Sequence, residues 1–234
     1  MPAADRTYLP VILLEFDDVL AETRAHRLAA LRAALAPDGV QLGEERYEAL
    51  CPGLSFEAAL SALTRSGDTL LDPTALGLAA LRADREFSAI VALGLRLAPG
   101  ARDFVLASAG IARLGIVTRS ARRDVEVTLA MAGLTDAFDC VIAREDYSGA
   151  EPSPLPYGES IGRMAERHPV TIGNCPALVA SLNAVAAARA ARFRPFVVGP
   201  VSAIVARAGD AHLPTLEGVG VPDLVRMVEA VRAR

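Results

Sequence analysis

The fold of this chain is decided by the stretch Val11-Ile12-Leu13-Leu14-Glu15-Phe16-Asp17-Asp18-Val19-Leu20. Its first four residues are consecutive and apolar, which predicts a short strand buried on both faces. Glu15 and Asp17 follow this strand, and because side chains alternate along an extended chain, both carboxylates point the same way. Ligands of open parallel sheets bind at the carboxyl ends of the strands. The stretch therefore predicts a polar site at the exit of a buried first strand.

The rest of the chain divides into a helical part and an alternating part. Between residues 21 and 94 apolar residues such as Leu28, Leu31 and Leu35 recur at helical spacing, without a strand pattern. From residue 95 onward, short apolar runs at 115–117, 138–143, 170–172 and 196–198 alternate with helical patterns, one of which contains Leu178 and Leu182. This rhythm predicts an α/β fold with a Rossmann-like parallel sheet. We expect a core at residues 1–20 and 95–234 and an inserted all-helical cap at residues 21–94.

The composition narrows the classes of partner and compartment. The chain has 234 residues, a net charge of −4, 5% aromatic residues and no Trp, so we expect neither nucleic acid nor an anionic membrane surface as a partner. No apolar run approaches the roughly 18–20 residues that span a bilayer. Three widely spaced cysteines predict free thiols and a cytoplasmic location. All 24 basic residues are arginine, so no mechanism that needs a lysine can operate.

The stretch at residues 15–20 resembles the first motif of the haloacid dehalogenase superfamily, which usually reads Asp-x-Asp-Gly-Val/Thr-Leu. The following Ala21-Glu22-Thr23 resembles the sugar-phosphate phosphatase and beta-phosphoglucomutase-like branch. The resemblance implies that the first aspartate attacks phosphorus, the second acts as general acid and base, and Mg²⁺ offsets the charge. Glu15 stands at the nucleophile position, Asp17 at the second position, and Asp18 replaces the glycine. Glutamate is one methylene longer, and a misplacement of about 1 Å can cost on the order of 10²-fold in rate.

The second and third motifs of the family can also be located. Thr118, assisted by Ser120, stands where a hydroxyl would bind phosphoryl oxygens or another small anion, although a threonine there is also typical of a helix N-cap. The third motif, a lysine before Pro-x-Pro, is replaced by Glu151, which reverses the charge. Arg144 is the possible cation substitute, and the alternative is that it is solvated or ion-paired.

The fourth motif supplies acids for Mg²⁺ and is placed at Gly173-Asn174-Cys175. Glu15, Asp17 and Asn174 would form the metal site, which is weak because Asn174 offers only a neutral carbonyl oxygen. Cys175 is interpreted as a small core residue in place of serine.

The changed nucleophile, lysine and metal positions belong to one mechanism. They predict a catalytically impaired pseudophosphatase that needs no cofactor and has a binding, scaffold or regulatory role. Its partner would be a protein, or a small phosphorylated metabolite or other anion bound near Thr118. The alternative is an active phosphatase for a small sugar phosphate, with Mg²⁺, Glu15, Asp17 and Arg144 as its working parts. A dehalogenase ranks last, because that chemistry needs an aspartate nucleophile and a lysine.

Overall fold

The computed structural model describes residues 9–67, 71–170 and 175–232. The strands are β1 Val11–Glu15, β2 Arg113–Val117, β3 Cys140–Ile142, β4 Pro176–Val179, β5 Arg194–Val198 and β6 Ala211–Leu213. The helices are α1 Arg24–Leu35, α2 Glu44–Leu50, α3 Phe56–Arg65, α4 Pro73–Ala92, α5 Ala101–Ala107, α6 Arg122–Ala132, α7 Leu155–Ala165, α8 Leu182–Ala190, α9 Ala203–Ala208 and α10 Val221–Arg232.

Strand β1 lies inside a parallel six-stranded sheet in the order β3-β2-β1-β4-β5-β6. Its residues pair with β2 along its whole length, from Val11 opposite Arg113 to Glu15 opposite Val117. The strand reads as an unbroken apolar run because hydrophobic clusters cover both faces of the sheet: Ile12 belongs to one cluster and Leu13 to the other. The predicted buried first strand, with a polar exit at the carboxyl edge, is confirmed.

Helices α1 to α4 follow β1 and contain a third hydrophobic cluster of their own. Asp72 caps α4 by accepting hydrogen bonds from the backbone N–H groups of Thr74 and Ala75, both at 2.8 Å. An isolated β-bridge between Ala21 and Leu97 joins the two linkers that connect this helical part to the sheet. The predicted fold class, a Rossmann-like core with helices inserted after the first strand, is confirmed, while the boundaries at residues 20, 21, 94 and 95 stay a prediction.

Strand β4 lies later in the chain than predicted. The β-branched run at residues 170–172 was expected to form it, but Val170 is outside any strand and residues 171–172 lie outside the described residues. The strand is Pro176–Val179, and it pairs with β1 through Ala177 opposite Leu13 and Leu178 opposite Leu14. Leu178 therefore lies in the sheet and not in the helix predicted from its spacing with Leu182. Pairing with the buried strand β1 therefore outweighed the local helical periodicity of these residues. Pro176 is tolerated because it is the first residue of β4.

Two further predictions concern the cysteines and membrane-spanning helices. All three cysteines are free and buried, as their spacing predicted. Within the described ranges, none of the helices is long and apolar enough to cross a bilayer.

Candidate active site at the end of the first strand

Glu15 ends β1 and its carboxylate turns toward the neighbouring strand. Its Oε2 accepts a 2.7 Å hydrogen bond from the backbone N–H of Ala180, just after β4. Glu15 lines a cavity of about 10 Å³ together with Thr118 and Arg119, which is room for about one water molecule. Burial raises the pKa of Glu15 to about 8, against the opposing effect of the Ala180 N–H. At neutral pH its carboxyl group is therefore mostly protonated.

Asp17 is surrounded by hydroxyl groups. Thr23 Oγ1 donates to Asp17 Oδ1 at 3.0 Å, and Thr118 Oγ1 and Ser120 Oγ donate to Oδ2 at 3.0 and 3.1 Å. The structure thus brings together three residues predicted for the site, Asp17, Thr118 and Ser120. The two hydroxyl groups expected to bind an anion are engaged with Asp17, and Ala121, not Thr118, is the N-cap of α6.

Asp18, in place of the family glycine, organises the start of α1. It adopts a φ of 60°, a left-handed conformation that aspartate tolerates better than most residues. Its Oδ1 accepts hydrogen bonds from the backbone N–H groups of Thr23 at 3.0 Å and Arg24 at 2.9 Å, and its Oδ2 pairs with Arg24 Nε at 3.0 Å. The Asp18 carboxylate therefore stabilises the N-terminus of α1.

Arg27 is a buried residue of the site that sequence reasoning missed. Its guanidinium donates to Leu54 O at 2.7 Å and to Ser120 Oγ at 3.2 Å, lies 3.5 Å from Asp17 Oδ1, and stacks 4.3 Å from the centre of the Phe56 ring. The available signal was its position one helical turn after Thr23, on the face of α1 that turns toward β1. Arg27 joins the loop before α3 to the carboxyl edge of the sheet.

Glu151, at the position of the family lysine, is paired within the protein. Its Oε2 accepts a 2.7 Å hydrogen bond from the backbone N–H of Ser55, and its Oε1 lies 3.8 Å from Arg119 Nη1. Arg119 is buried, donates to Ser153 O at 3.2 Å, and stacks 4.6 Å from the centre of the Tyr147 ring. The reversed charge at residue 151 is thus matched by an arginine next to Thr118.

Arg144 lies away from Glu15. Its guanidinium forms an ion pair with Asp84 on α4, which matches the alternative that it is ion-paired. The cation that lines the cavity beside Glu15 is Arg119. The sequence did not point to Arg119, because its neighbour Glu151 is 32 positions further along the chain.

The described residues contain only part of the metal site that the sequence predicts. The fourth motif was expected at Asn174, which lies outside the described residues and precedes β4 in the chain. The residues at the carboxyl end of β4 are Val179, Ala180 and Ser181, and the Ser181 side chain accepts from Ala184 N at 3.1 Å to cap α8. In the described part of the chain, no three His, Cys, Asp or Glu side chains are grouped as a metal site.

The loop before α3 closes over this edge of the sheet. Asn183 Nδ2 donates to Pro52 O at 2.8 Å. A Cβ atom added at Gly53 would lie 2.1 Å from Ser181 Oγ. These contacts place the loop before α3 next to the Glu15 cavity, which Gly53 and Asn183 also line.

The comparisons with known proteins agree with this architecture. The sequence profile of the haloacid dehalogenase-like hydrolase family matches residues 9–172. A search of curated proteins found no match.

Solved structures share the fold at low sequence identity. A mutant of CbbY from Rhodobacter sphaeroides in complex with xylulose-(1,5)bisphosphate is 24% identical, with 92% of this chain and 99% of that chain covered and a TM-score of 0.77. Beta-phosphoglucomutase from Clostridium difficile is 14% identical, with 97% and 100% covered and a TM-score of 0.80. A hydrolase from Pseudomonas syringae is 16% identical, with 94% and 98% covered and a TM-score of 0.77.

Proposed function

Because the chain belongs to the haloacid dehalogenase-like hydrolase family, we propose that it has kept the family fold but not phosphoryl transfer, and that it acts by binding. The observation that carries the proposal is the pair of contacts made by the Glu151 carboxylate. Where the family lysine would neutralise a phosphoryl group, a carboxylate holds Ser55 N at 2.7 Å and faces Arg119. A negative charge that is bonded to the loop before α3 cannot stabilise the negative charge of a phosphoryl transition state beside Glu15.

The position of β4 supports the same proposal. In the sugar-phosphate branch that the chain resembles, the fourth motif usually reads Glu-Asp-Ser. With the strand ending at Val179, this pattern falls on Val179, Ala180 and Ser181 and not on residues 173–175. Both acids expected to hold Mg²⁺ are then replaced by apolar residues, and only the serine is kept, as a helix cap. We propose that Mg²⁺ is not a cofactor of this chain.

The nucleophile position is also unsuited to attack at neutral pH. A carboxyl group whose pKa is raised to about 8 is mostly neutral at pH 7, and the Ala180 N–H already occupies its Oε2. Thr118 and Ser120 direct their hydroxyl groups at Asp17. The remaining role is that of a binding or scaffold protein, with a protein partner favoured over a metabolite because the cavity at this edge is nearly filled.

The test is phosphate release from a panel of sugar phosphates and an aryl phosphate, with and without Mg²⁺. Asp17→Asn serves as the control for contaminating phosphatases. We expect the wild-type protein to release no more phosphate than the Asp17→Asn variant. Turnover that the variant abolishes would contradict the proposal.

A second candidate, an active phosphatase for a small phosphorylated metabolite, is favoured by one observation. Arg119 is buried beside Glu15, and within the described residues its Nη1 has no hydrogen-bond partner. When the closing loop lifts, this cation could meet a phosphoryl oxygen. The second candidate predicts activity that rises through pH 8 as Glu15 ionises and that is lost in Arg119→Gln. Arg144→Gln is the matched control and should keep the activity.

A further inference from the structure

A second cavity at the carboxyl edge of the sheet is separate from the one that Glu15 lines. It has a volume of about 470 Å³, within the range of small-molecule sites. It opens between the ends of β5 and β6 on one side and the two linkers of the helical part on the other. None of its lining residues also lines the small cavity beside Glu15.

The walls of this cavity are apolar and held in place. They consist mainly of proline, valine and alanine: Ala98, Pro99, Val198, Pro200, Val201 and Pro214. Thr215 Oγ1 donates to Pro99 O at 3.0 Å, which ties the segment after β6 to the second linker. The backbone N–H of Gly199 donates to Leu213 O at 2.9 Å, and this bond joins the segment after β5 to the end of β6. Walls fixed in this way lose little entropy when a ligand binds.

The polar side of the cavity offers hydrogen-bond donors. The acid Asp18 already accepts from Thr23 N and from two nitrogens of Arg24. Glu22 pairs with Arg96 Nε at 2.6 Å, while the Arg96 side chain is 83% exposed. A guanidinium bonded through Nε still carries four N–H groups on its terminal nitrogens. These N–H groups suit a ligand group that accepts hydrogen bonds.

We propose that this cavity binds a small amphipathic carboxylate, with its apolar body against the proline and valine walls and its carboxylate on Arg96. Arginine matches a carboxylate with two parallel hydrogen bonds. His26 lines the same rim and adds a ring N–H donor. The inference goes beyond the proposed function, because none of the described residues that line this cavity lines the cavity beside Glu15.

The test uses isothermal titration with 4-methylpentanoate, its uncharged amide and inorganic phosphate as probes. We expect the acid to bind about tenfold more tightly than the amide, since the amide loses the ionic contact. No binding of the acid, equal binding of acid and amide, or tighter binding of phosphate would each overturn the proposal.

Two pairs of variants locate the site. Ala25 lines the cavity and is exposed on α1, so Ala25→Trp fills the cavity without entering the core. Ala29→Trp, one turn later on the same helix and also exposed, is the matched control. We expect about a tenfold loss of affinity in Ala25→Trp and less than about twofold in Ala29→Trp.

Arg96→Gln should weaken binding of the acid, whereas Arg85→Gln, at an exposed position on α4, should not. Equal effects within either pair would overturn the assignment.

Discussion

At the scale of single residues, three carboxylates at the predicted motif positions are engaged in hydrogen bonds within the protein. Glu15 reaches the backbone N–H of Ala180, Asp18 caps α1, and Glu151 binds the loop at Ser55. Each new carboxylate accepts a backbone N–H, which satisfies a buried polar group. The residues are therefore explained by local hydrogen bonding, and none of these bonds requires a phosphoryl ligand.

The raised pKa of Glu15 makes a prediction for stability. Its pKa is about 8 in the folded protein and 4.5 in the reference state. Between these values the folded protein holds a proton that the unfolded chain has released, so the free energy of unfolding falls as pH rises from about 4.5 to about 8. The slope from this one group is at most about 1.4 kcal/mol per pH unit.

Glu15→Gln should remove that slope, because glutamine keeps an acceptor for the Ala180 N–H and does not titrate. The measurement is urea denaturation at a series of pH values. Glu86→Gln, at an exposed position on α4, is the control and should keep the wild-type slope. A Glu15→Gln curve parallel to wild type would show that Glu15 titrates normally.

Arg27 should be a large contributor to stability. Arg27→Met leaves Leu54 O and Ser120 without their donor and removes the charge next to Asp17. We expect a loss of about 2–4 kcal/mol in the free energy of unfolding. The control Arg32→Met, on the same helix, removes a hydrogen bond to Leu42 O from an exposed side chain and should cost less than about 1 kcal/mol. Equal losses would mean that the buried contacts of Arg27 contribute nothing extra.

At the scale of elements, the loop before α3 decides whether the site is open. Gly53 has a φ of 77° and sits against Ser181, which caps α8. Only a residue without Cβ allows the loop to come this close to the carboxyl edge of the sheet. The closure is therefore a property of the contact between two elements.

Gly53→Ala tests this closure against a matched glycine. Gly39 also has a positive φ, of 70°, but an added Cβ there would meet no atom within 4 Å. Gly39→Ala should cost about 1 kcal/mol from backbone strain alone. Gly53→Ala should cost roughly 2 kcal/mol more, because its Cβ would displace Ser181. Chemical denaturation of both variants provides the comparison, and similar costs would show that the loop yields without loss.

At the scale of the whole molecule, contacts from several elements hold the helical part against the sheet. Arg144 pairs with Asp84, Ser88 Oγ donates to Asp124 at 2.7 Å, and Glu151 holds Ser55. Each of these contacts joins the helical part to the part of the chain that contains the sheet, so all three would have to break for the two parts to separate.

Removing the Glu151 contact should loosen this arrangement locally. Glu151→Ala should raise the hydrogen-exchange rate of the Ser55 amide at least about tenfold, because that N–H loses its acceptor. Glu145→Ala is the control, since the Glu145 carboxylate also accepts a backbone hydrogen bond, from Arg122 N at 3.0 Å, but makes none to the described residues of the helical part. It should leave exchange at Ser55 unchanged. Unchanged exchange at Ser55 in Glu151→Ala would mean that other contacts alone hold the loop.

The sequence by itself determined the α/β class, the buried first strand, the helical insertion and the place of the site at the end of β1. These features depend on periodicity and on residues close together in the chain, such as Glu15 and Asp17. The absence of lysine from the whole chain also follows from the sequence alone. Only the tertiary structure decided the position of β4, the pairing of Glu151 with Arg119, the burial of Arg27 and the closure of the cavity. The reason is that these contacts join distant parts of the chain: Ser55 and Glu151 are 96 positions apart, and Asp17 and Thr118 are 101.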